Sequence, residues 1–134
     1  MNLEDFLILE KRIGQITQNI EITFAFDVIK TNHATDRQDF AKRGYDVETF
    51  GKITNAEMNE FVSMFKRDIA ENIARGIIKN QTNFVIKSNK WQLAMAIVAS
   101  NVDDTYWKLI IKTVFRETED YKLKIAKNQL VLEK

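Results

Sequence analysis

The chain contains one histidine, and an arginine follows it four residues later. If the segment from His33 to Arg37 is helical, both side chains project from one face. Histidine can exchange a proton near neutral pH, and the planar guanidinium of arginine is well suited to binding phosphate. The pair therefore predicts a site for RNA cleavage. The structural alternative is a helix cap or an ordinary surface pair.

Metal-free RNA cleavage has three chemical requirements. A base removes the proton of a ribose 2′-hydroxyl, cations stabilise the pentavalent phosphorane, and an acid protonates the leaving 5′-oxygen. We assign proton transfer to His33 and phosphate binding to Arg37 and Arg116. The partner acid or base is left open between a lysine and a tyrosine. The residues predicted to bind RNA are Arg43, Lys112, Tyr121, Lys122 and Lys124.

The charge distribution indicates where an anionic ligand would bind. Residues 1–74 hold 9 Lys/Arg and 13 Asp/Glu, whereas residues 75–134 hold 11 Lys/Arg and 6 Asp/Glu. The second part is therefore basic, although the overall charge is only +1. A basic half favours contact with RNA. The structural alternative is a set of solvated lysines.

Length and composition predict one globular α+β domain spanning residues 1–134. The 134 residues are 45% hydrophobic and 29% charged, as in ordinary globular proteins. Cysteine is absent, which excludes disulfides, thiol catalysis and cysteine-bound zinc. With a single histidine we expect no metal and no cofactor. We also expect no signal peptide, membrane contact or membrane span.

The apolar pattern predicts the order of helices and strands. A short helix is expected at residues 3–13, a strand at Ile20–Ile29 and a helix at His33–Arg43. Thr54 and Glu57 match a capping box, in which the glutamate side chain reaches back to the cap. The helix that they open carries one apolar stripe up to Ile77.

The remainder of the chain predicts strands. Alternating apolar residues mark strands at Phe84–Ile86, Trp91–Ala99 and Trp107–Phe115, with a turn at Asn101–Asp104 and an edge strand at Gln129–Glu133. Regular alternation would place Lys112 and Arg116 on the same face. Strands joined by short turns predict an antiparallel sheet of about four to five strands, with helices packed on one face.

Two segments carry a resemblance to a known family. Residues Phe26–Arg37, followed by Arg43–Tyr45, resemble the H-x-x-D-R … R segment of phage endoribonucleases of the RegB type. Residues Lys112–Arg116, with Tyr121–Lys122 and Asn128–Leu130, resemble the closing strand and tail of small tailed-phage proteins that share this segment. The layout is also similar to that of the RelE/ParE/BrnT-like RNase toxins, with helices before a curved antiparallel sheet.

The resemblance implies a RelE-like, microbial-RNase-like protein that acts on mRNA in the host cytoplasm, and it leaves open whether the ribosome takes part. It implies cleavage without metal to a 2′,3′-cyclic phosphate and a 5′-hydroxyl. His33 matches the family's first histidine, and Asp36 and Arg37 match its Asp-Arg. RegB uses a second histidine that this chain lacks. The alternatives are a non-catalytic phage module that binds RNA or a host protein, and the toxin of a toxin–antitoxin pair.

Overall fold

A computed structural model of the chain describes residues 24–38, 52–117 and 122–134. The helix expected at residues 3–13 and the start of the first predicted strand lie outside these ranges. The described part is α+β, as predicted. Its elements in chain order are β1 (Ala25–Lys30), α1 (Asn32–Arg37), α2 (Asn55–Met64), α3 (Lys66–Ala74), β2 (Asn83–Ser88), β3 (Leu93–Asp103), β4 (Tyr106–Arg116) and β5 (Leu130–Glu133).

The five strands form one mixed sheet in the order β1-β4-β3-β2-β5. Strands β2, β3 and β4 form the predicted antiparallel meander. The two outer pairs, β1 with β4 and β2 with β5, are parallel, so the prediction of a purely antiparallel sheet was wrong. A short turn forces the two strands that it joins to pair antiparallel. The two outer strands are joined to their partners by long stretches of chain, which permit either direction.

Helices α2 and α3 pack on one face of the sheet. Their buried side chains share a core with the inward residues of β2, β3 and β4. Phe61 lies at its centre, with its ring centroid 5.2 Å from that of Phe65 and 5.7 Å from that of Trp91. This face of the sheet is therefore closed by helices.

The long helix predicted after Thr54 is two helices. Thr54 Oγ1 accepts the N–H of Glu57 at 3.0 Å, which confirms the predicted start. The first helix ends at Phe65, whose ψ of 0° leaves the helical range. The apolar stripe continues through α3 but does not reach Ile77. Gly76, with a φ of +77°, ends the helical backbone, and Ile77 beyond it is 50% exposed. That part of the prediction was wrong.

The strand boundaries also differ from those predicted. Trp91 lies in the turn before β3 rather than inside it. Strand β3 continues to Asp103, and the turn is formed by Asp104 and Thr105. The Asp103 carboxylate accepts the N–H groups of Thr105 and Tyr106, both at 3.0 Å. The polar residues predicted as a turn thus extend the strand and then stabilise its end.

A register shift in β4 changes the direction of its last side chains. Ile97 pairs with Ile111 and Ala96 pairs with Thr113, so Lys112 is an extra residue on β4. One extra residue reverses the alternation beyond it. Arg116 therefore points to the helix side, and the predicted shared face of Lys112 and Arg116 was wrong.

Candidate functional site

The residue that precedes helix α1 caps the helix and hydrogen-bonds to β4. Thr31 Oγ1 accepts the N–H of Ala34 at 3.1 Å and donates to the carbonyl of Lys112 at 3.2 Å. Ala34 is fully buried in the core. With position 34 turned inward, position 33 lies about 100° and position 37 about 60° around the helix on the same side, toward the surface. The contact with β4 thus fixes the direction in which the His33 and Arg37 side chains point.

The structure brings His33 and Arg37 into direct contact. Arg37 Nε donates a hydrogen bond to His33 Nε2 at 3.1 Å. The guanidinium carbon of Arg37 also lies 5.5 Å from the ring centroid of Phe115. His33 is exposed and Arg37 is half-buried. The Phe115 ring and the His33 imidazole thus position the guanidinium at the surface. Its distance from the Phe115 ring is within the cation–π range.

The hydrogen bond fixes the tautomer of the neutral imidazole. Because Nε2 of His33 accepts from Arg37, its proton must lie on Nδ1 in the neutral ring. An incoming phosphate can draw Arg37 away and leave Nε2 available as a proton acceptor. The pair can therefore bind an anion, and it can accept a proton once Arg37 has moved.

Arg116 does not join this pair. Its Nη1 and Nη2 donate to Glu57 Oε2 and Oε1 at 2.8 and 3.1 Å, which makes a two-point ion pair with α2. The Arg116 side chain is 14% exposed. Glu57 does not complete the predicted capping box, because its carboxylate binds Arg116 instead. In this fold Arg116 links the sheet to α2.

The predicted RNA-binding lysines lie at the surface on two separate segments. Lys112 is exposed, and its ammonium donates to Asn83 Oδ1 at 3.1 Å across β3. Lys122 and Lys124 are exposed in the chain that leads to β5. Arg43 and Tyr121 lie outside the described residues.

A buried acid ties the segment of Lys122 and Lys124 to the end of β4. Glu117 is 6% exposed, and its Oε2 accepts the N–H of Leu123 at 2.9 Å. Its other oxygen lies 3.6 Å from Lys87 Nζ. Because Leu123 lies between the two lysines in sequence, this contact keeps both near the end of the sheet.

Sequence reasoning missed the partners of two predicted site residues, Arg37 and Arg116. Phe115 was assigned to the core face by regular alternation, and the extra residue in β4 instead turns it toward Arg37. Glu57 was assigned only to a helix cap. A bulge leaves no reliable mark in the sequence of one strand, so neither contact was visible before the fold.

A second polar pair joins β1 to β4 away from α1. The hydroxyl of Tyr106 donates to the carboxylate of Asp27. This hydrogen bond, then partial burial, and then the charges of Asp27 and Asp103 raise the pKa of Tyr106 above its usual value of 10.0. Each of these causes favours the neutral phenol.

The raised pKa of Tyr106 predicts a pH dependence of stability. The protonated phenol is favoured in the folded state. The contribution of Tyr106 to the free energy of unfolding is therefore fully present below about pH 10 and is lost as the pH rises through the folded pKa. We expect wild type to lose more unfolding free energy than Tyr106→Phe between about pH 8 and pH 11. Urea unfolding at both pH values measures this difference. Equal losses in the two proteins would contradict the assignment, and Asp27→Asn should lower the pKa of Tyr106 in an ultraviolet titration.

Two further properties concern only the described residues. Among them, no three histidine, aspartate or glutamate side chains form a group that could hold a metal ion. The helices in these ranges are too short or too polar for a membrane crossing. Comparisons with protein-family models, with curated proteins and with solved structures gave no match for this chain.

Proposed function

We propose that this protein binds RNA through its phosphodiester backbone, with the His33–Arg37 pair as the central contact. The observation that carries the proposal is the setting of the Arg37 guanidinium. It is held by His33 and Phe115, and no carboxylate among the described residues forms an ion pair with it. A guanidinium held in this way can give two N–H donors to one phosphate.

Other features support an anionic polymer as the ligand. Lys112, Lys122 and Lys124 are exposed, and none of them has an ion-pair partner among the described residues. The resemblance of Phe26–Arg37 to the RegB type supports RNA as that polymer. The arrangement of helices on one face of a sheet is compatible with the RelE-like fold. We propose that this chain is related to proteins of that fold. On this proposal the protein is phage-encoded and acts on mRNA in the host cytoplasm.

Binding of a fluorescent single-stranded RNA, followed by anisotropy, tests this function. We expect Arg37→Ala to raise the Kd about tenfold, because a charge-assisted contact is lost. Replacing Lys112, Lys122 and Lys124 together should lower the slope of log Kd against log salt by about two, at about 0.7 per phosphate contact. Folding of each variant is checked by circular dichroism.

The matched control is Lys90→Ala. Lys90 is an exposed lysine in the turn before β3 and is not among the residues proposed to bind RNA, so its removal tests the effect of net charge alone. It should leave the Kd close to that of wild type. If the variants at 37, 112, 122 and 124 behave like this control, the surface does not bind RNA. A Kd that is independent of salt would contradict phosphate contacts in general.

RNA cleavage is a second candidate, and the 3.1 Å contact between His33 and Arg37 favours it. Once Arg37 turns to the phosphate, His33 Nε2 would take the 2′-hydroxyl proton. The 2′-oxygen would attack phosphorus, and the bond to the 5′-oxygen would break. This leaves a 2′,3′-cyclic phosphate, and the 5′-oxygen takes a proton from water to become a hydroxyl, while His33 releases its proton to solvent. The chain has no second histidine that could protonate the 5′-oxygen, so we favour binding over cleavage.

A further inference from the structure

A groove separate from the His33–Arg37 pair lies between the end of β1 and the start of α2. It consists of a cavity of about 190 Å³ and an open depression of about 320 Å³, which share Lys30 and Asn55 in their walls. Thr35 and Gln38 form the α1 side of the depression. These two residues lie more than about 90° around α1 from His33 and Arg37, because each residue advances the helix by about 100°. The groove therefore faces away from the proposed RNA contact.

The ammonium group of Lys30 is held at the junction of the two spaces. It donates to Asn55 Oδ1 at 2.6 Å and to Gln38 Oε1 at 2.8 Å. The Gln38 amide is itself held, because its Nε2 donates to the carbonyl of Ile53 at 2.7 Å and to Asn55 Oδ1 at 3.1 Å. Both acceptors of Lys30 are neutral amides. Its charge is thus positioned, and no carboxylate among the described residues forms an ion pair with it. A lysine has three N–H donors.

The rest of the groove is apolar below and polar at the mouth. Val28, Met58 and Ile111 line the cavity, and Met58 and Ile111 are only 2% and 1% exposed. Asn59 lies at its rim, and Lys52 adds a second cation to the depression. The described lining contains no aspartate or glutamate. An apolar cavity of about 150 Å³ is large enough for a benzene-sized molecule.

We propose that this groove binds a small organic anion, with a carboxylate or phosphate group on an apolar body of about one ring. The anionic group would contact Lys30, with Lys52 nearby. The apolar body would lie on Val28, Met58 and Ile111. A positioned ammonium, without an ion-pair partner among the described residues, beside an apolar cavity matches both parts of such a ligand, since ligand sites combine an apolar lining with a few placed polar groups. This inference does not depend on RNA binding.

Amide-detected NMR titration with four probes tests the chemistry of the ligand. Benzoate and phenyl phosphate carry both parts, whereas benzamide lacks the charge and inorganic phosphate lacks the ring. We expect benzoate or phenyl phosphate to shift the amide signals of Asn55 and Asn59 with a Kd on the order of 1 mM, as for ligands with few atoms. Benzamide and inorganic phosphate should bind at least about tenfold more weakly. Whichever of benzoate and phenyl phosphate binds more tightly identifies the anionic group.

Substitutions locate the site. Lys30→Met keeps the length of the side chain and removes its charge, so it should raise the Kd at least about tenfold. Lys90→Met is the control and should bind like wild type. Asn59→Phe, at an exposed position of α2, should block the cavity and also abolish binding. It provides an independent test if Lys30→Met does not fold. RNA affinity should be unchanged in both groove variants.

Three results would overturn this proposal. The first is the absence of shifts at Asn55 and Asn59 with both benzoate and phenyl phosphate. The second is wild-type affinity in a folded Lys30→Met or Asn59→Phe protein. The third is inorganic phosphate binding as tightly as phenyl phosphate, which would show that the apolar cavity takes no part.

Discussion

Arg116→Ala is expected to lower the free energy of unfolding by about 2–3 kcal/mol, close to the values for breaking buried ion pairs after allowance for partial exposure. The change removes both hydrogen bonds to Glu57 and leaves that carboxylate, 26% exposed, without its partner. It also removes packing between the sheet and α2. Urea unfolding of wild type and variant measures the loss.

The same substitution distinguishes a structural role from an RNA-binding role. We expect RNA affinity per folded molecule to be unchanged, because Arg116 points to the helix side of the sheet. Lys112→Ala is the matched control on the same strand, and it should change stability by no more than about 0.5 kcal/mol. A double-mutant cycle with Glu57→Gln should show a coupling between the two residues. Full stability with weakened RNA binding would instead show that Arg116 contacts phosphate.

His33→Ala is expected to slow RNA cleavage by about 10²–10⁴-fold if the protein cleaves RNA, the usual contribution of a group that transfers a proton. The exposed side chain makes its described hydrogen bond only with Arg37, so the fold should remain intact. Cleavage of a labelled RNA is followed in excess EDTA, and the ends of the products are mapped. We expect 2′,3′-cyclic phosphate and 5′-hydroxyl ends.

Asn32→Ala is the control for this experiment, since Asn32 is an exposed neighbour in the same short helix. It should cleave at the wild-type rate. Equal rates in His33→Ala and wild type would exclude proton transfer by His33. Activity that disappears in EDTA and returns with magnesium, or products with 5′-phosphate ends, would exclude the mechanism. RNA binding without cleavage would leave the binding module as the function.

Local sequence patterns determined most of the secondary structure. Thr54 marks the start of α2 because its hydroxyl satisfies a free N–H of the first turn. Alternating apolar residues mark β2, β3 and most of β4, since one face of the sheet is buried. The four-residue spacing of His33 and Arg37 predicted that both lie on one face of α1, where the structure has them hydrogen-bonded. Each of these features depends on neighbours within a few residues.

The tertiary structure alone decided which side chains from different helices and strands contact each other. The extra residue at Lys112 arises from the pairing of β4 with β3, and it turns Arg116 toward Glu57 and Phe115 toward Arg37. The parallel outer strands depend on which sheet edges remain available to distant segments. The groove at Lys30 forms only when β1 and α2, far apart in sequence, lie side by side. Register and edge pairing are set by contacts between distant residues, so local periodicity does not contain them.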